Sequence, residues 1–326
     1  MPFLVSLFFG FMPMFFFAAF VYWLDRYEKE PKVLLGAAFF WGVLIAAGGA
    51  FLINTAFGIG IFLATGSEGI TDVATTSVVA PVVEEFLKGL AVAIVFFLFR
   101  REFDSVLDGI IYAGMVALGF AAAENTFYIF SKGYQEGGWG ALWLLVFIRV
   151  FLVGWQHPFY TSFTGIGFAT SRLSRNPLVK FAAPIIGYLV AVGLHAFHNT
   201  FGSLLGGLIG DLGGLAVGTL LDWVMWTLML GFIVYMVVRE QNLVRRQLRE
   251  EVASGLISPS QYAKALSPWT MTTAGLSGRL NSRFYQVCGE LAHKKDQLAR
   301  LGDESGNTAI IASLRKELAA LAPQVN

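Results

Sequence analysis

Charged residues and cysteine are what this sequence has least of. Only 14% of its 326 residues are charged and only Cys288 is a cysteine, whereas 56% are hydrophobic. Soluble domains carry about 25% charged and about 45–50% apolar residues, so the composition predicts a membrane protein. One cysteine excludes an internal disulfide and a cysteine-based metal cluster. The net charge of +1 gives no indication of a nucleic acid as partner.

Long apolar runs dominate what is present. A helix that crosses a hydrocarbon core of about 30 Å needs about 20 apolar residues. Seven stretches meet that length, near residues 3–24, 33–58, 78–99, 107–130, 150–172, 178–201 and 215–238. The first stretch has no basic segment before it, so we expect a retained span rather than a cleaved signal peptide. The predicted fold class is therefore all-α, a polytopic transmembrane helical bundle.

Basic residues in the short loops predict the orientation of this bundle. They lie in the first, third and fifth loops: Arg26, Lys29, Lys32, Arg100, Arg101, Arg172, Arg175 and Lys180. The second and sixth loops have no lysine or arginine, and the fourth has only Lys132. Because basic loops stay on the cytosolic side, the N-terminus is predicted outside and the C-terminus inside.

The pattern changes after residue 238, where the long apolar runs end. We therefore divide the chain into a transmembrane domain, residues 1–238, and a cytosolic tail, residues 239–326. Two amphipathic helical faces in the tail are separated by a turn-like segment at 302–307: Leu280, Phe284, Val287, Leu291, Leu298 and Leu301, then Ile310, Leu314, Leu318 and Leu321. The pattern predicts a helical hairpin that docks on the membrane domain or on a partner.

Ionisable side chains inside the apolar runs are the candidate functional residues. A charge deep in a bilayer costs about 2.5–3.5 kcal/mol on insertion scales, and such charges usually mark a pathway or a reaction centre. They occur in four predicted spans: Glu84, Glu85 and Lys88, then Glu124 with Asn125, then His157, then His195, His198 and Asn199. At 1.5 Å per residue, Glu84, Glu124 and His195 each lie ~9 Å from the outer end of a span, and His157 lies at a similar depth. The spacing predicts one polar chamber shared by four helices.

These residue types suit hydrolysis. Glu124, His157 and His195 make a ligand set typical of catalytic zinc, which takes three protein ligands and a water. The pairing with Lys88, four residues later, favours Glu84 as the general base, with Glu85 bracing the site; the choice between the two glutamates stays open. Asn199 lies one turn after His195 and is placed to donate to a developing oxyanion. A metal-free scheme, in which Glu84 and a histidine activate the water, uses the same residues and stays open.

Purely structural interpretations stand beside these. The charges in the third span could form a structural ion network, and Glu124 could be a buried group that a neighbouring helix satisfies. His157 could pair with backbone groups that Pro158 leaves free. His195 and Asn199 could form hydrogen bonds between helices. His198 points about 60° away from His195, which favours a structural role. Arg149 is expected to be an interface anchor. A non-enzymatic scaffold that binds a transmembrane helix, or an ion-coupled transporter, remains the alternative function.

Five motifs together resemble the PrsW family of intramembrane proteases, relatives of the CAAX prenyl endopeptidases. They are DRYEKEP at 25–31, EEFLK at 84–88, FAAAEN at 120–125, HPFYTSFTGIG at 157–167 and HAFHN at 195–199. The resemblance implies a peptidase of the bacterial cytoplasmic membrane that cleaves a membrane-anchored protein, such as an anti-sigma factor, on its extracytoplasmic side. It also implies catalytic roles for Glu84, Glu85, His157, His195 and Asn199. The oligomeric state is left open.

Overall fold

The computed structural model describes residues 1–303 and 306–325, apart from the side chains of residues 202, 203, 211, 272, 275 and 277. The described chain is 90% helical and has no strand, which confirms the all-α prediction. Residues 304 and 305 of the predicted turn at 302–307 lie outside the described residues.

The membrane domain is built from ten helices among the described residues: α1 (Pro2–Leu24), α2 (Lys32–Trp41), α3 (Ala47–Thr65), α4 (Glu68–Ala74), α5 (Ala80–Leu98), α6 (Val106–Tyr128), α7 (Glu136–Val146), α8 (Gln156–Leu173), α9 (Pro177–Ile209) and α10 (Asp211–Gln247). Wider π-helical turns join or extend several of them, at Gly42–Ala46, Thr75–Val79, Ile129–Gln135 and Phe147–Leu152.

Within the described ranges, five helical stretches are long and apolar enough to cross a membrane: Pro2–Leu24, Lys32–Thr65, Val106–Leu173, Pro177–Ile209 and Leu212–Ala253. The stretch Val106–Leu173 contains both α6 and α8. Helix α5 is 19 residues long, or ~28 Å, but carries Glu84, Glu85 and Lys88. The number of seven spans and their orientation stay predictions.

Helix α6 forms the centre of the membrane domain, and α1, α2, α5 and α8 pack around it. Glycines allow the closest of these contacts. A Cβ added to Gly109 would lie 2.2 Å from the carbonyl oxygen of Gly165, and one added to Gly165 would lie 1.9 Å from that of Gly109. The backbones of α6 and α8 therefore touch, as small residues permit in membrane helices. This contact holds α8 against the helix that carries Glu124.

Helix α8 begins at Gln156, after a break in the helix at residues 153–155. Pro158 consequently lies in the first turn, where a proline removes no helical hydrogen bond. His157 is thus not needed to patch a broken helix. The break falls inside the predicted fifth span, 150–172, so residues 150–152 belong to the π-helical turn Phe147–Leu152 and not to α8.

The tail continues directly from α10, which crosses the predicted boundary at residue 238 without interruption. Five further helices follow: α11 (Arg249–Ala253), α12 (Pro259–Ala265), α13 (Pro268–Thr273), α14 (Arg279–Leu301) and α15 (Asn307–Leu321). The apolar faces of α14 and α15 close on each other and on α10, burying Phe284, Leu291, Leu314, Leu318 and Leu248.

The tail docks on two loops of the membrane domain. A Cβ added to Gly289 of α14 would lie 1.6 Å from the carbonyl oxygen of Tyr27, so only glycine fits at this crossing. One helical turn later, His293 Nδ1 lies 3.0 Å from Asp104 Oδ1, and Lys294 Nζ lies 2.8 Å from Asp104 Oδ2. The sequence left open whether the tail docks on the membrane domain or on a partner. In the structure it docks on the membrane domain of the same chain.

Candidate active site

A cavity of about 550 Å³ lies between α3, α5, α6, α8 and α9. Glu84, Glu124, His157, His195 and Asn199 all line it. The four helices predicted to share a polar chamber therefore do share one. Glu85 lies beside it, fully buried.

Lys88 is fully buried on α5 and binds Glu85 more closely than Glu84. Its Nζ lies 2.6 Å from Glu85 Oε1, but 3.9 Å from Glu84 Oε2. The sequence suggested that Lys88 would hold Glu84, four residues away. The structure differs because Lys88 also reaches across to His157, whose Nδ1 lies 3.2 Å from Nζ, and Glu85 is on that side of the helix.

Glu85 holds the ring of His195. Glu85 Oε1 lies 3.0 Å from His195 Nδ1, and Glu85 Oε2 accepts a 2.8 Å hydrogen bond from the hydroxyl of Thr161. A carboxylate at Nδ1 selects the tautomer in which Nδ1 carries the proton. The other ring nitrogen, Nε2, then presents its lone pair and lies 3.9 Å from Glu84 Oε2.

Glu84 has one oxygen without a hydrogen bond. Its Oε1 accepts a 3.4 Å contact from the amide of Asn54, whereas the buried Oε2 has no hydrogen-bond partner among the described residues. Buried carboxylate oxygens are rarely left unpaired, and an exception indicates a ligand, a water or a catalytic role.

Glu124 belongs to a second, adjoining group. Its Oε2 accepts from Arg149 Nη2 and lies 2.9 Å from His157 Nε2. Arg149 Nε also donates a 2.9 Å hydrogen bond to the side chain of Asn125. The expectation that Arg149 is an interface anchor is therefore wrong: it folds over the end of α6 because an ion pair is available there, and only 21% of its side chain is exposed.

Asn199 contacts none of the charged groups. Its Nδ2 donates a 3.0 Å hydrogen bond to the carbonyl of Thr76, at the edge of the cavity. His198 joins Asp222 and Gln156 in a separate polar cluster, with its Nδ1 3.2 Å from Asp222 Oδ2. Asp222 is buried.

Tyr160 is a candidate residue that the sequence analysis missed. Its ring stacks on that of His195, with centroids 5.0 Å apart, and its buried hydroxyl has no hydrogen-bond partner among the described residues. A helical signal was available, because Tyr160 follows His157 by three residues and so lies on the same face of α8. Arg149 gave no such signal, since α7 and a π-helical turn separate it from Glu124.

The residues present fit a divalent metal ion. Ligand atoms of Glu84, His157 and His195 all lie within 4.8 Å of one another, and one of them is on the carboxylate with an unpaired oxygen. When ionised, the carboxylates of Glu84, Glu85 and Glu124 outnumber the cations of Lys88 and Arg149 by one charge. Two imidazoles and a carboxylate are a donor set that zinc accepts. This trio contains Glu84 where the sequence analysis placed Glu124.

Comparison with known proteins gives a consistent set of relatives. Residues 30–238 match the family described as PrsW family intramembrane metalloprotease. The chain is 32% identical over 118 residues to Protease PrsW of Geobacillus kaustophilus, covering 36% of this chain and 48% of that protein. It is 38% identical over 109 residues to Protease PrsW of Clostridioides difficile, covering 33% and 43%.

The chain spans about half the length of the curated relatives it matches. No solved structure matches it. The family match nevertheless covers well over half of the chain, and it includes every helix that contributes to the cavity. The chain therefore belongs to the PrsW family of intramembrane metalloproteases.

Proposed function

We propose that this chain is an endopeptidase that hydrolyses a peptide bond of a membrane-anchored protein within the bilayer. One observation carries the proposal: Glu84 Oε2 is buried, has no hydrogen bond from the described residues, and lies 3.9 Å from His195 Nε2, whose ring is held by Glu85. A general base needs to reach a water within about 2.6–3.2 Å. One water molecule can be within hydrogen-bond distance of both atoms at this separation.

Glu84 is the base in this proposal. It accepts a proton from the water while the water oxygen bonds to the carbonyl carbon of the substrate. When the carbon–nitrogen bond then breaks, the protonated Glu84 returns that proton to the leaving amine. His195 orients the water through Nε2. Glu85 maintains the ring tautomer and, together with Lys88, has no direct contact with the substrate.

The oxyanion of the tetrahedral intermediate needs a hydrogen-bond donor. The hydroxyl of Tyr160 is buried without a hydrogen-bond partner in the described part of the chain, and its ring lies against His195. Asn199 has a second amide hydrogen beyond the one given to Thr76, because a side-chain amide carries two donors. We propose that the hydroxyl of Tyr160 donates the main hydrogen bond to the oxyanion and that the amide of Asn199 assists it.

In the alternative arrangement with a metal, zinc would be held by Glu84, His157 and His195, and the direct contacts of Glu84 and His195 with the water described above would belong to the metal-free arrangement. When bound, such an ion lowers the pKa of a water and polarises a carbonyl group. Glu124 would then position His157 through Nε2, in the way that carboxylates orient histidine ligands, and the donor atom would be Nδ1, which could bind the ion only in place of its 3.2 Å contact with Lys88 Nζ. Arg149 balances the charge of Glu124.

The substrate is proposed to be a protein with one membrane-spanning segment, such as an anti-sigma factor. The chamber supports this because residues of α3 and of the turn Thr75–Val79, which line one side, are mostly small. With the N-terminus outside, as the loop charges predict, cleavage occurs towards the extracytoplasmic side. The site of action is then the cytoplasmic membrane of a bacterium.

The test is cleavage of a tagged candidate substrate in cells that express Glu84→Gln or His195→Ala. We expect both variants to accumulate at the wild-type level without producing the cleaved fragment. Glu136→Gln, which changes an exposed carboxylate outside the chamber, is the matched control and should cleave normally. Full cleavage by both chamber variants would exclude the mechanism. Substrate capture without cleavage by the wild type would instead favour a scaffold.

A further inference from the structure

The exposed large apolar side chains of the described tail residues all fall in one short segment, 269–280. Trp269 of α13 is 74% exposed, and Leu276 and Leu280, between α13 and the first turn of α14, are 89% and 50% exposed. We call these three residues the apolar rim. On the opposite side of this segment, Met271 and Ala274 pack against the core of the tail. The rim is thus not the core-facing side of the segment.

The height of this segment relative to the membrane follows from one carbonyl group. The oxygen of Leu266 accepts hydrogen bonds from the hydroxyl of Tyr27, at 3.3 Å, and from the side-chain amide of Gln241, at 2.8 Å. Tyr27 is three residues after the end of α1, and Gln241 is three residues after the predicted end of the last span. Three helical residues rise ~4.5 Å, and each polar layer of a bilayer is roughly 5–8 Å thick.

With the last span ending at residue 238, as the hydropathy pattern predicts, Leu266 is expected in the lipid headgroup layer, and α13 begins two residues later. Trp23, at the end of α1, marks the same level, with the guanidinium of Arg26 3.9 Å above its ring. Tryptophan is enriched at this depth because its ring is apolar and its N–H is polar. Arg279, exposed beside Leu280, adds a positive charge that anionic headgroups attract.

We propose that the apolar rim inserts into the leaflet on the tail side, so that the tail is anchored to lipid as well as to the loops of the membrane domain. The occupant of the surface is the bilayer itself: Trp269 and Leu276 enter the boundary between headgroups and acyl chains, and Arg279 stays at the phosphates. This inference does not depend on the proposed peptidase activity, since it uses only contacts of the tail.

Spin labelling tests the proposal on the full-length protein in vesicles of phosphatidylethanolamine and phosphatidylglycerol. The chain suits this method because its one cysteine, Cys288, is buried. Nitroxide labels are placed at Trp269→Cys and Leu276→Cys, with Ser313→Cys on the exposed side of α15 as control. Both replaced rim side chains are exposed, so the labelled proteins should keep the wild-type melting temperature.

For labels at positions 269 and 276 we expect frequent collisions with oxygen, which concentrates in lipid, and fewer with a water-soluble nickel chelate. The ratio of oxygen collisions to nickel collisions should be about threefold higher than at position 313. Accessibility equal to that of position 313 would overturn the proposal, because the rim would then lie in water. Protection from both reagents would also overturn it, because a protein surface would then cover the rim.

Discussion

His195 and Glu85 form the best-defined pair of the site, with Nδ1 3.0 Å from Oε1 and both side chains buried. The pair explains why two adjacent glutamates are needed. Adjacent residues on a helix point about 100° apart, so Glu85 faces His195 and Lys88 while Glu84 faces the cavity. The two carboxylates therefore have separate tasks, and their variants should fail in separate ways.

Glu84→Gln should abolish cleavage with little change in stability, whereas Glu85→Gln should also destabilise the fold. Removing the charge of Glu85 leaves Lys88 buried without its closest partner, and breaking a buried pair costs about 3–5 kcal/mol. Unfolding in mixed detergent micelles measures both variants. Equal stability of the two would contradict the assignment of Glu85 as the partner of Lys88.

Tyr160→Phe should reduce kcat by roughly 10²–10³-fold with KM nearly unchanged, because an oxyanion donor acts only in the transition state. Stability should not fall, since the hydroxyl has no hydrogen bond to any residue that the structure describes. Tyr235→Phe, at an exposed position on α10, is the control and should retain wild-type kinetics. An effect of Tyr160→Phe on KM alone would indicate a role in substrate binding instead.

Arg149 and Glu124 should behave as a coupled pair. Arg149→Met leaves the carboxylate of Glu124 with His157 as its remaining partner among the described residues. This single variant should therefore be less stable than the double variant that also carries Glu124→Gln. A double-mutant cycle on unfolding should give a coupling of about 0.5–3 kcal/mol. Additive effects would mean that the contact between Arg149 and Glu124 contributes little.

Metal content provides a separate prediction. If Glu84, His157 and His195 hold zinc, then His195→Ala should purify with far less bound zinc than the wild type. Glu85→Gln should weaken binding by about 10–100-fold, because it orients His195 without touching the ion. Elemental analysis of the purified protein measures both. Full activity of the metal-free protein in a strong chelator would support the metal-free mechanism, in which Glu84 and His195 alone activate the water.

The junction between tail and membrane domain should depend on pH. Burial by itself lowers the pKa of His293, but the charges of Asp104 and Glu28 outweigh burial and raise this pKa well above its usual value of 6.5. The folded pKa exceeds the unfolded one, so the stabilisation is complete below about pH 6.5 and is lost as the pH rises through the folded pKa. Lys294 and Glu240 also face this cluster.

The backbone amides of α14 should therefore exchange faster at alkaline pH than the intrinsic pH dependence of hydrogen exchange predicts. The excess corresponds to a loss of about 2 kcal/mol in the free energy of unfolding this helix. His293→Gln should remove that extra dependence, while Lys316→Gln, which changes an exposed charge on α15, should preserve it. An identical pH profile in wild type and His293→Gln would show that another group controls the junction.

Much of this protein could be predicted without coordinates. Its apolar runs require helices, because a backbone in hydrocarbon has to satisfy its own hydrogen bonds. Charges within those runs identified Glu84, Glu124, His157 and His195, since each is costly unless it faces a chamber. The motifs around them predicted the PrsW family, and the family comparison confirmed it.

The partners within the chamber came from tertiary structure alone. Helical periodicity tells which residues share a face, but not how each helix is rotated against its neighbours. Lys88 binds Glu85 more closely than Glu84 because His157 lies on that side. Arg149, in the π-helical turn Phe147–Leu152, reaches Glu124 on α6. The docking of Gly289 on Tyr27 likewise depends on two segments more than 260 residues apart. Charge and hydropathy are properties of the chain, whereas partner choice is a property of its packing.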